Sequence, residues 1–167
     1  NLKEGVWELA KVAASLSLGR ADTALKAQLT GAAMISPAMQ KIAVSGLDAT
    51  ATGSHDVLKG LDLHVSGNLA ADVGKQEYTA DKVSLRAKGT IDRDAFDAAL
   101  QAPKLHITPA KAEGQAVTGT VTVKGPQREI DAKLNIAAVG GSANSLSIPA
   151  LKLELASNLS GNGIKGT

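Results

Sequence analysis

The chain contains no cysteine and almost no aromatic residues, with one Trp, one Tyr and one Phe in 167 residues. The absence of cysteine excludes a disulfide framework, thiol catalysis and thiolate metal ligands. The shortage of aromatics is unusual for a β-protein, because β-sandwiches usually fill the space between their sheets with large rings. Apolar residues still make up 44% of the sequence, so any apolar surface must consist mainly of smaller side chains, above all Ala and Leu.

An excess of either charge is also absent, because the formal net charge is only +2. With no basic block and no aromatic stacking platform, we expect no nucleic acid partner. No apolar run reaches the roughly 18 residues that a membrane-spanning helix needs. The sequence begins at Asn1, and residues 161–167 have the pattern of a turn and the start of a strand. We therefore expect residues 1–167 to be a single β-rich segment excised from a longer protein, with any signal or anchor outside it.

Residues with catalytic or metal-binding chemistry are few and scattered. His55 falls in a predicted turn, while His64 and His106 fall on the polar faces of predicted strands, and no HxH or HxxxH pair occurs. Metal sites need convergent ligands, so we expect none here. Asp92 and Asp94 lie in a polar stretch where solvated carboxylates are expected rather than acid–base catalysts. No nucleophile elbow, phosphate-binding loop or dinucleotide motif is present, and we predict neither enzyme activity nor a cofactor.

A strand-sized phrase recurs at residues 46–53, 60–67 and 82–89, with a looser copy at 150–157. Each copy alternates apolar and polar residues, which predicts strands with one apolar face. Turn signals rich in Gly, Pro and Asn separate such runs. We predict strands at 6–17, 23–35, 40–52, 60–73, 76–88, 95–108, 112–124, 128–139, 146–157 and from about Ile164. Short connections favour an all-β antiparallel meander of about nine to ten strands, twisted into a half-open apolar groove or an incomplete barrel.

Two segments have both helical and strand interpretations. Residues 91–100 have a possible helix N-cap at Asp92 or Asp94, but strand alternation would place Phe96 with its apolar neighbours. The first apolar run, 6–18, is similarly ambiguous. We favour strands in both places because the neighbouring segments are strands, and we expect Pro103 to break or bulge the strand that follows Phe96.

The apolar face is the feature from which a function can be inferred. Its residues are either an ordinary packed core or the wall of a groove for acyl chains, which gain about 0.8 kcal/mol per buried CH₂ without polar recognition. The repetition and the lack of bulky filler favour the groove. The candidate groove residues are Leu61, Leu63, Val65, Val83, Leu85, Val121, Val123, Leu134, Ile136, Leu151, Leu153 and Leu155.

Two other classes of protein share these features. A structural or adhesive β-module, such as a surface solenoid, would have a closed core and a regular repeat. The first two phrases begin 14 residues apart and the next pair 22 apart, an irregularity that counts against a solenoid. A lipocalin-like carrier of a small apolar ligand would need a closed barrel, for which Trp7 alone is little support.

The phrases at 59–69 and 80–89 resemble the AsmA family of Gram-negative envelope proteins. The Leu-rich strand at 148–155, followed by the Gly turn and Gly-Thr ending of 161–167, is similar to the same family. The resemblance covers residues 41–167 well and 1–40 less clearly.

The resemblance implies a periplasmic protein that is anchored in the inner membrane by one N-terminal helix outside this segment. It implies a long curved sheet with an apolar interior, which moves phospholipids between the inner and outer membranes in outer-membrane biogenesis. The implied partners are phospholipid acyl chains and the flanking β-segments of the same chain. The family supplies no catalytic residues to carry over.

Overall fold

The computed structural model describes residues 5–142, 144–159 and 162–166, and these residues form strands and turns but no helix. The strands are β1 (Trp7–Arg20), β2 (Thr23–Ser36), β3 (Lys41–His55), β4 (Leu58–Asp72), β5 (Glu77–Ile91), β6 (Asp94–Ile107), β7 (Ala112–Gly114), β8 (Val117–Lys124), β9 (Arg128–Ile136), β10 (Gly140–Ser142), β11 (Ser145–Ser147), β12 (Leu151–Leu159) and β13 (Asn162–Gly166).

Ten of these strands form one antiparallel meander in the order β1-β2-β3-β4-β5-β6-β8-β9-β12-β13. The short β7 pairs with the end of β6, and β10 and β11 form a separate two-stranded hairpin. β1 and β13 do not pair with each other, so the sheet is not closed into a barrel. The predicted all-β meander is therefore confirmed. With strands up to 15 residues long, the sheet measures roughly 50 Å along the strands and roughly 43 Å across them.

The connections at the two ends of the first six strands alternate in length. Two-residue turns at 56–57 and 92–93 join strands at one end, and four-residue turns at 37–40 and 73–76 join them at the other. With the two-residue turn at 21–22, equivalent turns recur 35 or 36 residues apart, and the repeating unit is a hairpin rather than a strand. The spacings of 14 and 22 residues together make one such repeat, so the two unequal spacings follow from a repeating hairpin.

Most strand predictions agree with the structure to within a few residues. Residues 91–100 are extended apart from the Asp92–Arg93 turn, and the first apolar run forms β1. β6 continues through Pro103. Four details differ: the predicted strand 112–124 is divided into β7 and β8, the predicted strand 146–157 is divided between β11 and β12, the β10–β11 hairpin was not predicted, and His55 ends β3 instead of lying in a turn.

Bulges in four of the long strands change which residues face the apolar side: one in β1 between Leu9 and Val12, one in β4 near Gly60, and one each in β3 and β5. β3 carries an extra residue near Gly46, which has φ +58°, and β5 carries one near Lys82, which has φ +53°. A bulge places two residues opposite one, so the alternation of side chains is displaced by one position beyond it. β4 crosses both regions without an extra residue and keeps its alternation from Leu61 to Ala71.

The described residues contain almost no core. Only Ser36, Ala112 and Gly119 are buried. The accessible surface is 11148 Å², whereas a compact monomer of 16.9 kDa is expected to expose roughly 7,700 Å². The excess of about 3,400 Å² follows from the single layer, because no second layer among these residues covers the sheet.

Candidate apolar ligand surface

Cross-strand pairing aligns apolar side chains into rows that run perpendicular to the strands. One row, called the Leu63 row below, contains an apolar residue from each of nine successive strands: Leu16, Ala27, Ala51, Leu63, Ala87, Ala98, Val121, Ala132 and Leu155. Residues opposite each other in an antiparallel pair lie on the same face of the sheet. The row is therefore continuous across the sheet from β1 to β12.

The neighbouring row contains larger side chains and no polar one: Ala14, Leu29, Ala49, Val65, Leu85, Leu100, Gly119, Leu134 and Leu153. Further apolar residues flank these two rows, including Val83 and Val117 on one side and Leu61 and Phe96 on the other. We call this side of the sheet the apolar face. It is an extended surface without a charged group in its two central rows.

All twelve candidate groove residues lie on the apolar face. Val121, Leu151, Leu153 and Leu155 expose between 42% and 58% of their surface, and the other eight are half-buried. An ordinary core would bury such side chains almost completely. In the described residues they instead form an accessible surface, and their contact with a lipid stays a prediction.

Sequence reasoning missed a further apolar row near the end of the sheet that carries the four-residue turns. Its members are Trp7, Ile35, Ile42, Ala71, Tyr78, Ile107 and Ala112. Ile42 and Tyr78 lie beyond the bulges at Gly46 and Lys82, where the alternation of β3 and β5 has been displaced. The signal that could have found them is the apolar alternation that resumes in the opposite phase after Gly46.

The apolar face has a shallow depression of about 290 Å³ over β1 to β4, bordered by Leu16, Leu29, Leu63 and Val65 around small alanines. A larger depression, of about 690 Å³, lies on the opposite face over β8 to β13 and is bordered by Asp131, Lys133 and other polar residues. A single twisted sheet is saddle-shaped, so concave regions on both faces are expected. Only the first offers a surface that an uncharged hydrocarbon chain can cover without desolvating ions.

The opposite face is polar and carries paired charges. Lys88 Nζ lies 3.2 Å from Asp62 Oδ2 across the β4–β5 ladder. His64 Nε2 lies 2.9 Å from an Asp48 carboxylate oxygen on β3. Opposite charges on neighbouring strands stabilise a sheet modestly and keep this face in water. The two faces thus differ in chemistry across the two central rows.

The acidic and histidine side chains of the described ranges make local contacts and do not converge on a metal site. No group of three or more His, Asp or Glu side chains in these ranges could hold a metal ion. His106 Nε2 is 2.9 Å from Glu77, and His55 Nδ1 is 2.6 Å from the Thr23 hydroxyl, so each histidine has a local cross-strand partner. The described part of the chain also holds no helix with the length and hydropathy of a membrane span.

Two exposed charges on the sheet have displaced pKa values. A hydrogen bond from Lys152 lowers the pKa of Glu154, and the charge of Lys152 adds to this effect. A hydrogen bond to Glu129, together with its charge, raises the pKa of Lys124. Both groups are at the surface, and each pKa shift follows from a surface ion pair.

The fold and its surface define a class: an open, single-layer amphipathic β-sheet with one continuous apolar face. Comparisons of the chain with protein-family models, with curated proteins and with solved structures found no match.

Proposed function

We propose that the apolar face binds the acyl chains of phospholipids, and that this chain is a segment of a periplasmic lipid-transfer protein of the AsmA type. In this proposal, flanking β-segments of a longer chain extend the sheet, and an anchor outside residues 1–167 holds it at the inner membrane. Phospholipids move along the face between the inner and outer membranes. The chain performs no chemistry on them.

The observation that carries the proposal is the unbroken Leu63 row on a sheet with no covering layer in the described residues. A surface along which lipids move must offer apolar side chains to the acyl chain at every position. It must also lack polar groups that would bind the lipid tightly at one place. Each CH₂ buried contributes about 0.8 kcal/mol, which Ala, Val and Leu walls supply as well as aromatic ones do. An exposed apolar area of this extent on a monomer marks a binding surface.

A structural or assembly β-module is the second candidate, because the 36-residue hairpin repeat gives it the regularity that such modules have. It predicts no lipid ligand and a closed apolar core, which the described residues do not form. The two candidates therefore differ in whether lipid occupies the apolar face.

The test is native mass spectrometry of the protein purified from a Gram-negative host, followed by lipid extraction. We expect co-purified phospholipid that is lost in Leu63→Asp and in Leu153→Asp, because a carboxylate in either central row would have to be desolvated under an acyl chain. Thr120→Asp is the matched control, since it adds the same charge to the polar face beside Lys133.

Far-UV circular dichroism of each variant checks that the strands remain. Folded Leu63→Asp protein that carries as much phospholipid as the parent would refute the proposal. A parent protein that is free of lipid would favour the structural module.

A further inference from the structure

Irregular positions lie at one level across the first six strands of the sheet. Each is a shift of register, a residue with positive φ or a proline. They are the segment between Leu9 and Val12 in β1, Gly31 in β2, Gly46 in β3, Gly67 in β4, Lys82 in β5 and Pro103 in β6. We call the line that joins them the crease.

The crease continues through the strands that follow β6. β7 and β8, β9 and β10, and β11 and β12 are each separated by two or three residues. The register is the same on both sides of these gaps, so Ala116 lies opposite Pro103, Ala137 opposite Ala116 and Ala150 opposite Ala137. The crease therefore extends from β1 to the start of β12.

The hairpin repeat aligns these irregular positions. Gly31, Gly67 and Pro103 follow one another at intervals of 36 residues, and Gly46 and Lys82 are also 36 residues apart. Because each hairpin lies beside the previous one, a feature that recurs once per repeat falls at the same level in every second strand. The crease is thus built by the repeat.

The backbone at the crease is less firmly paired than elsewhere. A bulge bends its strand and leaves one residue unpaired. Gln115 N donates to Lys104 O at 2.9 Å. Since successive residues direct their backbone groups to opposite sides, those of Pro103 point toward Lys82 on β5. Proline has no N–H, so Pro103 donates no ladder hydrogen bond there.

The direction of the crease also favours bending. Ladder hydrogen bonds run perpendicular to the strands and therefore parallel to the crease, so bending about it separates no pair of strands. A sheet bends about a transverse line when all its strands yield at the same level, because a regular strand would hold its neighbours straight. From β1 to β12 each strand is irregular or interrupted at the crease.

The crease divides the sheet into two panels. The short-turn panel carries the two-residue turns and the Leu63 row, and the long-turn panel carries the four-residue turns and the row of Trp7 and Ile42. Trp7 is 53% exposed and Ile42 is 49% exposed. Bending toward the apolar face would remove such side chains from water, which is favourable.

Bending in the opposite direction would bring charges together. On the polar face, the long-turn panel carries the ion pair of Lys41 and Asp72, and the short-turn panel carries that of Lys88 and Asp62. Removing these groups from water is costly. The two faces thus give the bend a preferred direction.

We propose that the crease is a hinge, and that the two panels of the delipidated protein bend toward each other over the apolar face. The open sheet is one state of this hinge, and the bent state covers part of the apolar face. The hinge does not depend on lipid binding and is tested without lipid.

The test is double electron–electron resonance between spin labels on the delipidated protein, which has no cysteine of its own. Val57→Cys with Lys75→Cys places labels in the turns at the two ends of β4, roughly 50 Å apart in the open sheet. We expect a second population that is shorter by about 10 Å or more, because the crease lies between the labels.

Asp22→Cys with Gln127→Cys is the matched control pair. Both labels lie in turns of the short-turn panel, six strand spacings or roughly 29 Å apart. We expect a single narrow distance, because the crease does not lie between them.

A charge on the apolar face tests the direction of the bend. Ile42→Asp should reduce the shorter population about tenfold, because its carboxylate would have to leave water in the bent state. Met34→Asp makes the same change on the opposite face of the same panel, where the side chain is 37% exposed, and should leave the shorter population unchanged.

A single distance near 50 Å for Val57→Cys with Lys75→Cys would overturn the hinge. A shorter population in the control pair would also overturn it, because that result indicates collapse within one panel. Equal effects of Ile42→Asp and Met34→Asp would overturn bending toward the apolar face.

Discussion

The dependence of lipid affinity on acyl-chain length tests the openness of the sheet directly. A fully buried CH₂ contributes about 0.8 kcal/mol. The apolar face covers a chain from one side only, because residues such as Leu153 and Leu155 are about half exposed and no second layer covers them in the described residues. We therefore expect about half of that value, roughly 0.4 kcal/mol per CH₂.

Since about 1.4 kcal/mol corresponds to a tenfold change in affinity, each added pair of carbons should tighten binding about fourfold. Chains enclosed on all sides would tighten by about fifteenfold for the same change. The assay is isothermal titration of decanoyl, dodecanoyl and tetradecanoyl lysophospholipids below their critical micelle concentrations. The Thr120→Asp variant should give the same series as the parent.

Affinity that does not change with chain length would refute the reasoning, because it would indicate recognition of the headgroup alone. A fifteenfold increase in affinity for each added pair of carbons would agree with an acyl-chain site but would contradict an open face. Such an increase requires a second layer over the acyl chain, which the described residues do not provide.

Two further predictions concern the stability of the sheet. Gly53→Ala should destabilise the protein by about 3 kcal/mol, because Gly53 has φ +147° and a Cβ there would collide with the carbonyl oxygen of Ala24. Gly119→Ala is the control and should change the stability little, because its Cβ would lie 3.5 Å from the nearest atom. Equal urea midpoints for Gly53→Ala and Gly119→Ala would contradict the predicted collision at Gly53. Glu154 has a lowered pKa beside Lys152, so its contribution to stability is present above the ordinary glutamate pKa and is lost as the pH falls through the lowered value. The urea midpoints of the parent and of Glu154→Gln should therefore converge in acid. A difference between the two midpoints that stays constant with pH would refute this contribution of Glu154 to stability.

Much of the fold was predictable because local pattern and tertiary structure agree in this chain. Alternation around Leu63 and Leu153 reflects a real two-faced sheet, and Gly-rich turns separate successive strands. The bulge at Lys82 was missed, because a lysine with positive φ gives no signal itself and the change in phase between Ala80 and Val83 was not recognised. Because of that bulge, the position of Tyr78 on the apolar face was not predicted.

The candidate surface was predicted in composition but not in extent. Alternation indicates which residues share a face, but it is the same for a strand under a second layer and for one that is open to solvent. The shortage of aromatics was the only hint of openness. The alignment of Leu63, Ala87 and Ala98 into one row depends on register, which the turn lengths and bulges determine together.

The meander has a consequence for how such a chain can change in length. Its extensive contacts join strands that are neighbours in the sheet, and no central core of the described residues ties distant strands together. Stability is then close to a sum of nearest-neighbour terms, as in repeat proteins. A 36-residue hairpin could be inserted or deleted with a cost confined to the two interfaces beside it. Evolution can therefore lengthen or shorten this architecture one hairpin at a time without repacking the rest.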